Sequence, residues 1–133
     1  HPESGKVTVI KLTCVVDCGV VVHPDGALAQ LEGSLLWGVS LALHEGTEFK
    51  NGQVASSNLH NYFPLRMKDV PDMDISFVES DEFPVGLGEP GTTVVAPAIG
   101  NAIFNAIGLR LKSLPMTPPV VKAMIEQKQG DTA

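Results

Sequence analysis

The residues best able to do chemistry lie in one short stretch, Gly86-Leu87-Gly88-Glu89-Pro90-Gly91. Three glycines and a proline surround one carboxylate, and an apolar pattern typical of a helix follows at residues 95–107. Glycine permits backbone paths and close approaches that other residues do not, and such loops are more often sites than spacers. Held just before a helix start, the Glu89 carboxylate could act as a general base.

A structural interpretation of Glu89 stands beside this one. A carboxylate near a helix N-terminus is stabilised by the helix dipole by about 0.3–1 kcal/mol and needs no further role. Simple capping does not require three flanking glycines, so the composition of the loop favours chemistry.

Gln30 and Glu32 are the second candidate, in the stretch Ala29-Gln30-Leu31-Glu32-Gly33. If Gln30 is buried in an early helical turn, its amide needs hydrogen-bond partners. Two interpretations stay open. Gln30 is either an ordinary amide, hydrogen-bonded within the protein or exposed at the surface, or an amide that donates to a bound oxyanion or cofactor.

The cysteines and histidines do not predict a metal site. An iron–sulfur cluster needs four thiolates, and the chain has only Cys14 and Cys18. On a regular strand these two share a face about 13 Å apart, which is too far for a disulfide, so two buried thiols are expected. The histidines show no metal-ligand spacing; they are His1, His23, His44 and His60.

Composition narrows the class of protein. The 133 residues make one domain's worth of chain, and the formal net charge of −6 with no Lys/Arg cluster disfavours nucleic-acid binding. No run of eighteen apolar residues occurs, so we expect no membrane span. The first residue is a histidine, and no signal-peptide pattern follows it. We therefore expect an internal start and a function that is incomplete in this piece, with localisation open between the bacterial cytoplasm and periplasm.

The strands are predicted by alternation and turn signals. Alternating β-branched residues predict strands over residues 6–16 and 74–79. Asn51-Gly52 predicts a tight hairpin, and the segment from His23 to Gly26 predicts a turn.

Helical spacing predicts a helix over residues 27–43, in which Gly33 and Gly38 indicate close approach of another backbone. A second helix is expected over residues 92–108, capped by Thr92 or Thr93 and ended by Gly108. Pro118-Pro119 opens a short helix, and a polar, frayed tail is expected over residues 127–133. Strands and helices without a regular alternation favour an α+β fold.

Several short motifs occur in an order that resembles a known family. They are Val20-Val21-Val22-His23-Pro24-Asp25-Gly26-Ala27, Ala29-Gln30-Leu31-Glu32-Gly33, Leu36-Trp37-Gly38, Ser57-Asn58-Leu59-His60-Asn61-Tyr62, Leu65-Arg66-Met67, Gly86-Leu87-Gly88-Glu89-Pro90-Gly91, Ala96-Pro97-Ala98, Asn101-Ala102-Ile103 and Leu114-Pro115. Together they resemble the C-terminal part of the molybdenum-binding large subunit of the xanthine dehydrogenase/aldehyde oxidoreductase family, nearest to the isoquinoline 1-oxidoreductase β-subunit type. The resemblance extends from about Val7 to Pro115.

The resemblance implies roles for individual residues. Glu89 matches the family's active-site glutamate, a general base that takes a proton from a molybdenum-bound hydroxyl. Gln30 matches a glutamine that hydrogen-bonds the molybdenum–pterin centre, and Gly88, Pro90 and Gly91 shape the loop against the cofactor. The cofactor then does the redox chemistry, while the protein supplies a positioned base.

The resemblance also implies the setting in which the chain works. The cofactor is molybdopterin with molybdenum, in the cytosine dinucleotide form, and upstream segments of the same subunit complete its site. Electrons leave through a 2Fe-2S cluster on a partner subunit. Residues 1–116 are then the C-terminal portion of the cofactor-binding domain, and residues 117–133 a terminal helix and tail.

The expected activity is oxidation of a small aldehyde or hydroxylation of an N-heterocycle with water as oxygen source. The isolated chain is expected to bind no molybdenum and to turn over nothing. The alternative is a non-catalytic binding or assembly module that keeps the fold.

Overall fold

A computed structural model describes residues 1–130 of the protein. Its elements follow in the order β1 (Lys11–Val16), α1 (Pro24–Leu43), β2 (Phe49–Lys50), β3 (Gln53–Val54), β4 (Asp72–Phe77), α2 (Pro90–Ile107) and α3 (Pro118–Gly130), with a 3-10 turn at Met67–Asp69 before β4. This mixture of strands and helices confirms the α+β class.

β1 and β4 form a parallel pair, in register from Lys11 opposite Asp72 to Val16 opposite Phe77. Alternate side chains of both strands face the helices, as Leu12 and Ile75 do. The order β1–α1–β4–α2 therefore contains a parallel crossover, which the sequence pattern did not predict because the β2–β3 hairpin is inserted between α1 and β4.

α1 begins earlier than its apolar periodicity indicates. His23 is its N-cap, and the Nδ1 atom of His23 accepts a hydrogen bond of 2.8 Å from the Gly26 amide. Pro24 occupies the first helical position, where a missing N–H costs nothing. The predicted turn at residues 23–26 is thus wrong, because a proline that follows a capping side chain starts a helix equally well.

α1 and α2 pack side by side and in the same direction, since Ser34 of α1 lies against Gly91 and Thr92, and Gly38 lies one turn further along, against Val95. A Cβ atom on Gly38 would stand 2.7 Å from the Cβ of Val95, so a glycine is required for this approach. The expectation for Gly33 is wrong. It is exposed, and a Cβ there would meet nothing within 4 Å.

The core lies between these helices and the inner face of the β1–β4 sheet. Its buried members are Leu35, Val39, Ala42, Leu43, Val95, Ile99, Ile103, Met116 and Val121. Burying such side chains contributes about 1.5–3 kcal/mol each, so the apolar faces of α1 and α2 hold the two helices together.

The ends of α2 and α3 differ in part from expectation. α2 starts at Pro90 with Glu89 as its N-cap, so the predicted cap at Thr92 or Thr93 is wrong, while Gly108 ends the helix with φ 65° as predicted. α3 continues to Gly130, so the tail is helical rather than frayed over residues 127–130. The rest of the predicted tail, residues 131–133, lies outside the described residues, and the division at residue 116 stays a prediction.

The remaining local predictions are confirmed in part. The strands expected over residues 6–16 and 74–79 occur as the shorter β1 and as β4, which begins two residues earlier and ends two residues earlier than predicted. The hairpin has Asn51 at φ 52° and Gly52 at φ 77°, as an Asn-Gly turn requires. Cys14 and Cys18 are both free thiols, but only Cys18 is buried. The expectation of two buried thiols is therefore wrong for Cys14, which is half-buried.

The length and hydropathy of α1 raise the possibility of a membrane-spanning helix. It has 20 residues and a mean hydropathy of 1.2 in its most apolar window, enough to cross a membrane by length and composition alone. Yet 44% of that window is buried inside the fold, and α2 packs along it. This packing favours a core helix over a membrane span.

Candidate functional site

The site lies where the segments that follow β1 and β4 meet the N-termini of α1 and α2. Two backbone hydrogen bonds join these segments: Val20 N to Glu82 O at 3.0 Å, and Val85 N to Cys18 O at 3.0 Å. Both helices follow parallel strands, so this is the carboxyl end of the sheet, where open α/β arrangements commonly bind ligands.

Gln30 and the glycine-rich loop are brought together here. The Nε2 atom of Gln30 donates to the backbone carbonyl of Gly88 at 3.1 Å. That carbonyl belongs to the peptide bond that leads into Glu89. The exposed Gln30 therefore positions the loop at the residue before the carboxylate, and the premise that Gln30 is buried is wrong.

Glu89 is exposed and is the N-cap of α2 through its backbone alone. Its carbonyl accepts from the amides of Thr92 at 3.0 Å and Thr93 at 3.3 Å, while its side chain makes no capping hydrogen bond. Within residues 1–130 its carboxylate forms no hydrogen bond or ion pair. A capping role for the side chain is thus excluded by the geometry, and the carboxylate stays available to another group.

Of the three glycines in the loop, only Gly91 is required to be a glycine by its packing. A Cβ on Gly91 would collide with Oγ of Ser34, so Gly91 serves the contact between α1 and α2. Gly86 and Gly88 do not adopt positive φ angles, and a Cβ on either would meet nothing within 4 Å. The expectation of an unusual backbone path is therefore wrong for these two. Pro90, exposed, fills the first position of α2.

A hollow of about 310 Å³ adjoins this contact, and the sequence argument did not single it out. Its lining is mainly apolar: Cys18, Val20, Val21, Val22, His23, Gly26, Ala27, Gln30, Pro84, Val85 and Leu87. The run of three valines was visible in the sequence, but only the fold places it beside Gln30. An apolar hollow with one convergent amide is a usual form of a ligand site.

The other candidates do not join the site. Glu32 is half-buried and takes no part in the contact between Gln30 and Gly88. Among residues 1–130, no group of three or more His, Cys, Asp or Glu side chains could hold a metal ion.

Comparison with known families places this chain in a class of cofactor-binding domains. Residues 1–71 match the family model described as a molybdopterin cofactor-binding domain. The match covers more than half of the chain, and the chain belongs to this family.

Individual relatives agree with that assignment. The chain is 60% identical over 116 residues to "Membrane-bound aldehyde dehydrogenase [pyrroloquinoline-quinone]" of Gluconacetobacter polyoxogenes, covering 87% of this chain and 15% of the relative. It is 38% identical over 131 residues to "Isoquinoline 1-oxidoreductase subunit beta" of Brevundimonas diminuta, covering 98% of this chain and 16% of the relative. The chain thus spans about one sixth of the length of these relatives, and the resemblance to a portion of a molybdenum-binding subunit is confirmed.

A solved structure shows the same fold. The aldehyde oxidoreductase of Desulfovibrio desulfuricans superposes with a TM-score of 0.80 at 32% identity, covering 92% of this chain and 14% of that one. The arrangement of β1, α1, β4 and α2 is therefore that of a segment within a much larger enzyme chain.

Proposed function

We propose that this chain forms part of the active centre of a molybdenum hydroxylase in which Glu89 is the general base. The enzyme oxidises an aldehyde or hydroxylates an N-heterocycle, with water as the source of oxygen. One observation carries the proposal: the Gln30 amide holds the peptide bond before Glu89, whose exposed carboxylate has no partner within residues 1–130.

The residues of this end of the fold fit molybdopterin. Gln30 uses one amide N–H on Gly88 and keeps a second N–H and its carbonyl oxygen, which suit the polar edge of a pterin. Gly86 and Gly88 leave space where a side chain would stand, so a flat group can approach their backbone. Gln30, Gly88 and Pro90 would hold the group, and Gly91 would act through the packing of α2. When bound, the cofactor supplies the two-electron redox chemistry.

The part of Glu89 in this reaction is to accept a proton. A general base must be ionised to do so.

The Gluconacetobacter relative carries a quinone in its printed name, and this makes a quinone-dependent aldehyde dehydrogenase the competing proposal. We favour molybdopterin because the family match covers residues 1–71, which include Gln30. Metal and quinone analysis of the full-length subunit separates the two. Stoichiometric molybdenum with cytidine monophosphate released on acid hydrolysis supports a molybdopterin cytosine dinucleotide, and bound quinone without molybdenum contradicts it.

The proposed partners follow from the short span of the chain. The remainder of the subunit completes the cofactor site, and a partner subunit with a 2Fe-2S cluster takes the electrons. Two cysteines cannot hold such a cluster.

The decisive experiment replaces Glu89 by glutamine in the full-length subunit. We expect molybdenum loading to be kept and kcat to fall by about 10²–10⁴-fold, the usual contribution of a general base. The matched control is Glu48→Gln, an exposed glutamate beside the hairpin, which should leave kcat unchanged. Full turnover in Glu89→Gln would instead support the non-catalytic alternative for this segment.

A further inference from the structure

The β1–β4 pair has an unused edge. Two hydrogen bonds show which residues of β1 bond to β4. They run from Asp72 N to Ile10 O at 3.0 Å and from Val78 N to Val16 O at 2.8 Å. Alternate residues of a parallel strand bond to one neighbour. The backbone N–H and C=O groups of the even-numbered residues of β1 therefore point towards β4. Those of Lys11, Thr13 and Val15 point away from it. Within residues 1–130 these three make no backbone hydrogen bond across that edge.

An apolar groove of about 530 Å³ runs along the same edge. Both faces of β1 contribute to it, through Leu12 and Thr13, so it follows the edge rather than one face of the sheet. Its floor is α2, where Ala98, Ala102 and Ala106 recur every fourth residue and leave room for another chain.

The sequence predicts that β1, and with it this edge, begins earlier than in the structure. Alternation predicts a strand from residue 6, whereas the structure begins β1 at Lys11. The Ile10 carbonyl bonds to Asp72 of β4, residues 6–9 precede the ladder, and residues 6–10 line the groove. Parallel sheets are almost always buried and built of more strands, so a two-stranded parallel pair is an incomplete sheet.

We propose that a further β-strand, from another part of the same subunit, pairs with β1 at Lys11, Thr13 and Val15 and covers this groove. A row of unpaired N–H and C=O groups selects an extended strand, and the alanines of α2 select apolar side chains at its alternate positions. The chain spans about one sixth of its relatives, so most of the subunit lies outside it and can supply the strand. The proposal rests on the chain working inside a longer subunit.

Photo-crosslinking identifies the occupant. A diazirine analogue of methionine placed at position 102 of the full-length subunit should crosslink to a segment outside residues 1–133 of the same polypeptide, and that segment should show strand-like alternation. A crosslink to a second copy or to a partner subunit, or no protein crosslink, overturns the proposal.

Hydrogen exchange tests the pairing without a mutation. In the full-length subunit, the Thr13 amide should exchange on the order of 100-fold more slowly than an unstructured amide, as amides of buried ladders do. Exchange at the unprotected rate contradicts a paired edge.

A variant pair tests the groove. Ala102→Arg places a charge in the groove and should lower the Tm of the full-length subunit. Asn105→Arg, also on an exposed part of α2 but outside the groove lining, should not. Equal Tm values for both variants overturn the proposal. Such a failure would leave molybdenum loading and the Glu89 result intact, so it is distinguishable from a failure of the proposed function.

Discussion

Gln30 and Gly88 are 58 residues apart in sequence, yet the side-chain amide of one lies 3.1 Å from the backbone carbonyl of the other. The contact exists because α1 and α2 run in the same direction from the carboxyl end of the β1–β4 pair. It ties the second turn of α1 to the residue that precedes Glu89. We infer from this contact that Gln30 helps to position the backbone just before the carboxylate.

Replacing Gln30 by glutamate should impair turnover more than stability. The variant keeps the length of the side chain but sets an ionised acceptor against the Gly88 carbonyl, so the loop moves away. We expect kcat/KM of the full-length subunit to fall on the order of 10- to 100-fold, the usual cost of displacing a reacting group by about 1 Å. The free energy of unfolding should change by less than about 1.5 kcal/mol, since an exposed hydrogen bond contributes little. Gln127→Glu on exposed α3 is the control, and equal kcat/KM values for the two variants would disprove the positioning role.

Gly91 and Gly88 should respond differently to alanine. Gly91→Ala drives a methyl group into Ser34 and should lower the free energy of unfolding by about 1–3 kcal/mol, measured by denaturant titration. Gly88→Ala meets no atom within 4 Å and should stay within about 0.5 kcal/mol of the parent. Its expected effect is lower molybdenum loading of the full-length subunit, seen by metal analysis. Normal loading in Gly88→Ala would mean that no group approaches this backbone closely.

Gly38 and Gly33 form a second matched pair, both inside α1. Gly38→Ala should destabilise by about 1–3 kcal/mol, because its Cβ would overlap Val95. Gly33→Ala should stabilise by up to about 1 kcal/mol, because it is exposed and alanine favours the helix. Thermal unfolding of both variants measures the difference. A Tm shift in the same direction for both would contradict the packing of α2 against Gly38.

Tyr62 provides a pH-dependent prediction. Its hydroxyl donates a 2.6 Å hydrogen bond to Glu45, and this bond, with smaller contributions from desolvation and the Glu45 charge, raises the pKa of Tyr62 above 10.0. A group with a raised pKa contributes stability that is fully present below its unfolded pKa and lost as pH rises through the folded value. The contribution of this contact should therefore disappear above about pH 10.

Glu45→Gln should lower the pKa of Tyr62 towards 10.0, because the negative acceptor is removed. Tyr62 is the only tyrosine in the sequence, so phenolate absorbance of the chain reports on it alone. The control is Glu48→Gln, an exposed glutamate that pairs with Lys50. An unchanged titration curve in Glu45→Gln would show that the hydrogen bond does not persist in solution.

Local features of the fold were readable from the sequence because their causes are local. The Asn51-Gly52 hairpin and the Gly108 helix end depend on backbone conformations that few residues adopt. The apolar periodicities of α1 and α2 depend on side chains three and four residues apart. His23 was misread because a capping histidine before a proline looks like a turn until the helix behind it is seen.

The sequence by itself determined the α+β class, the extents of most elements, the family, and Glu89 and Gln30 as the residues to consider, because each depends on residue type and short-range order. Only the tertiary structure decided that Gln30 holds the peptide before Glu89, that Gly91 serves helix packing while Gly86 and Gly88 do not, and that β1 has an open edge. These relationships join residues far apart in the chain. The physical reason is that they depend on how α1, α2 and the two strands pack, which no local pattern encodes.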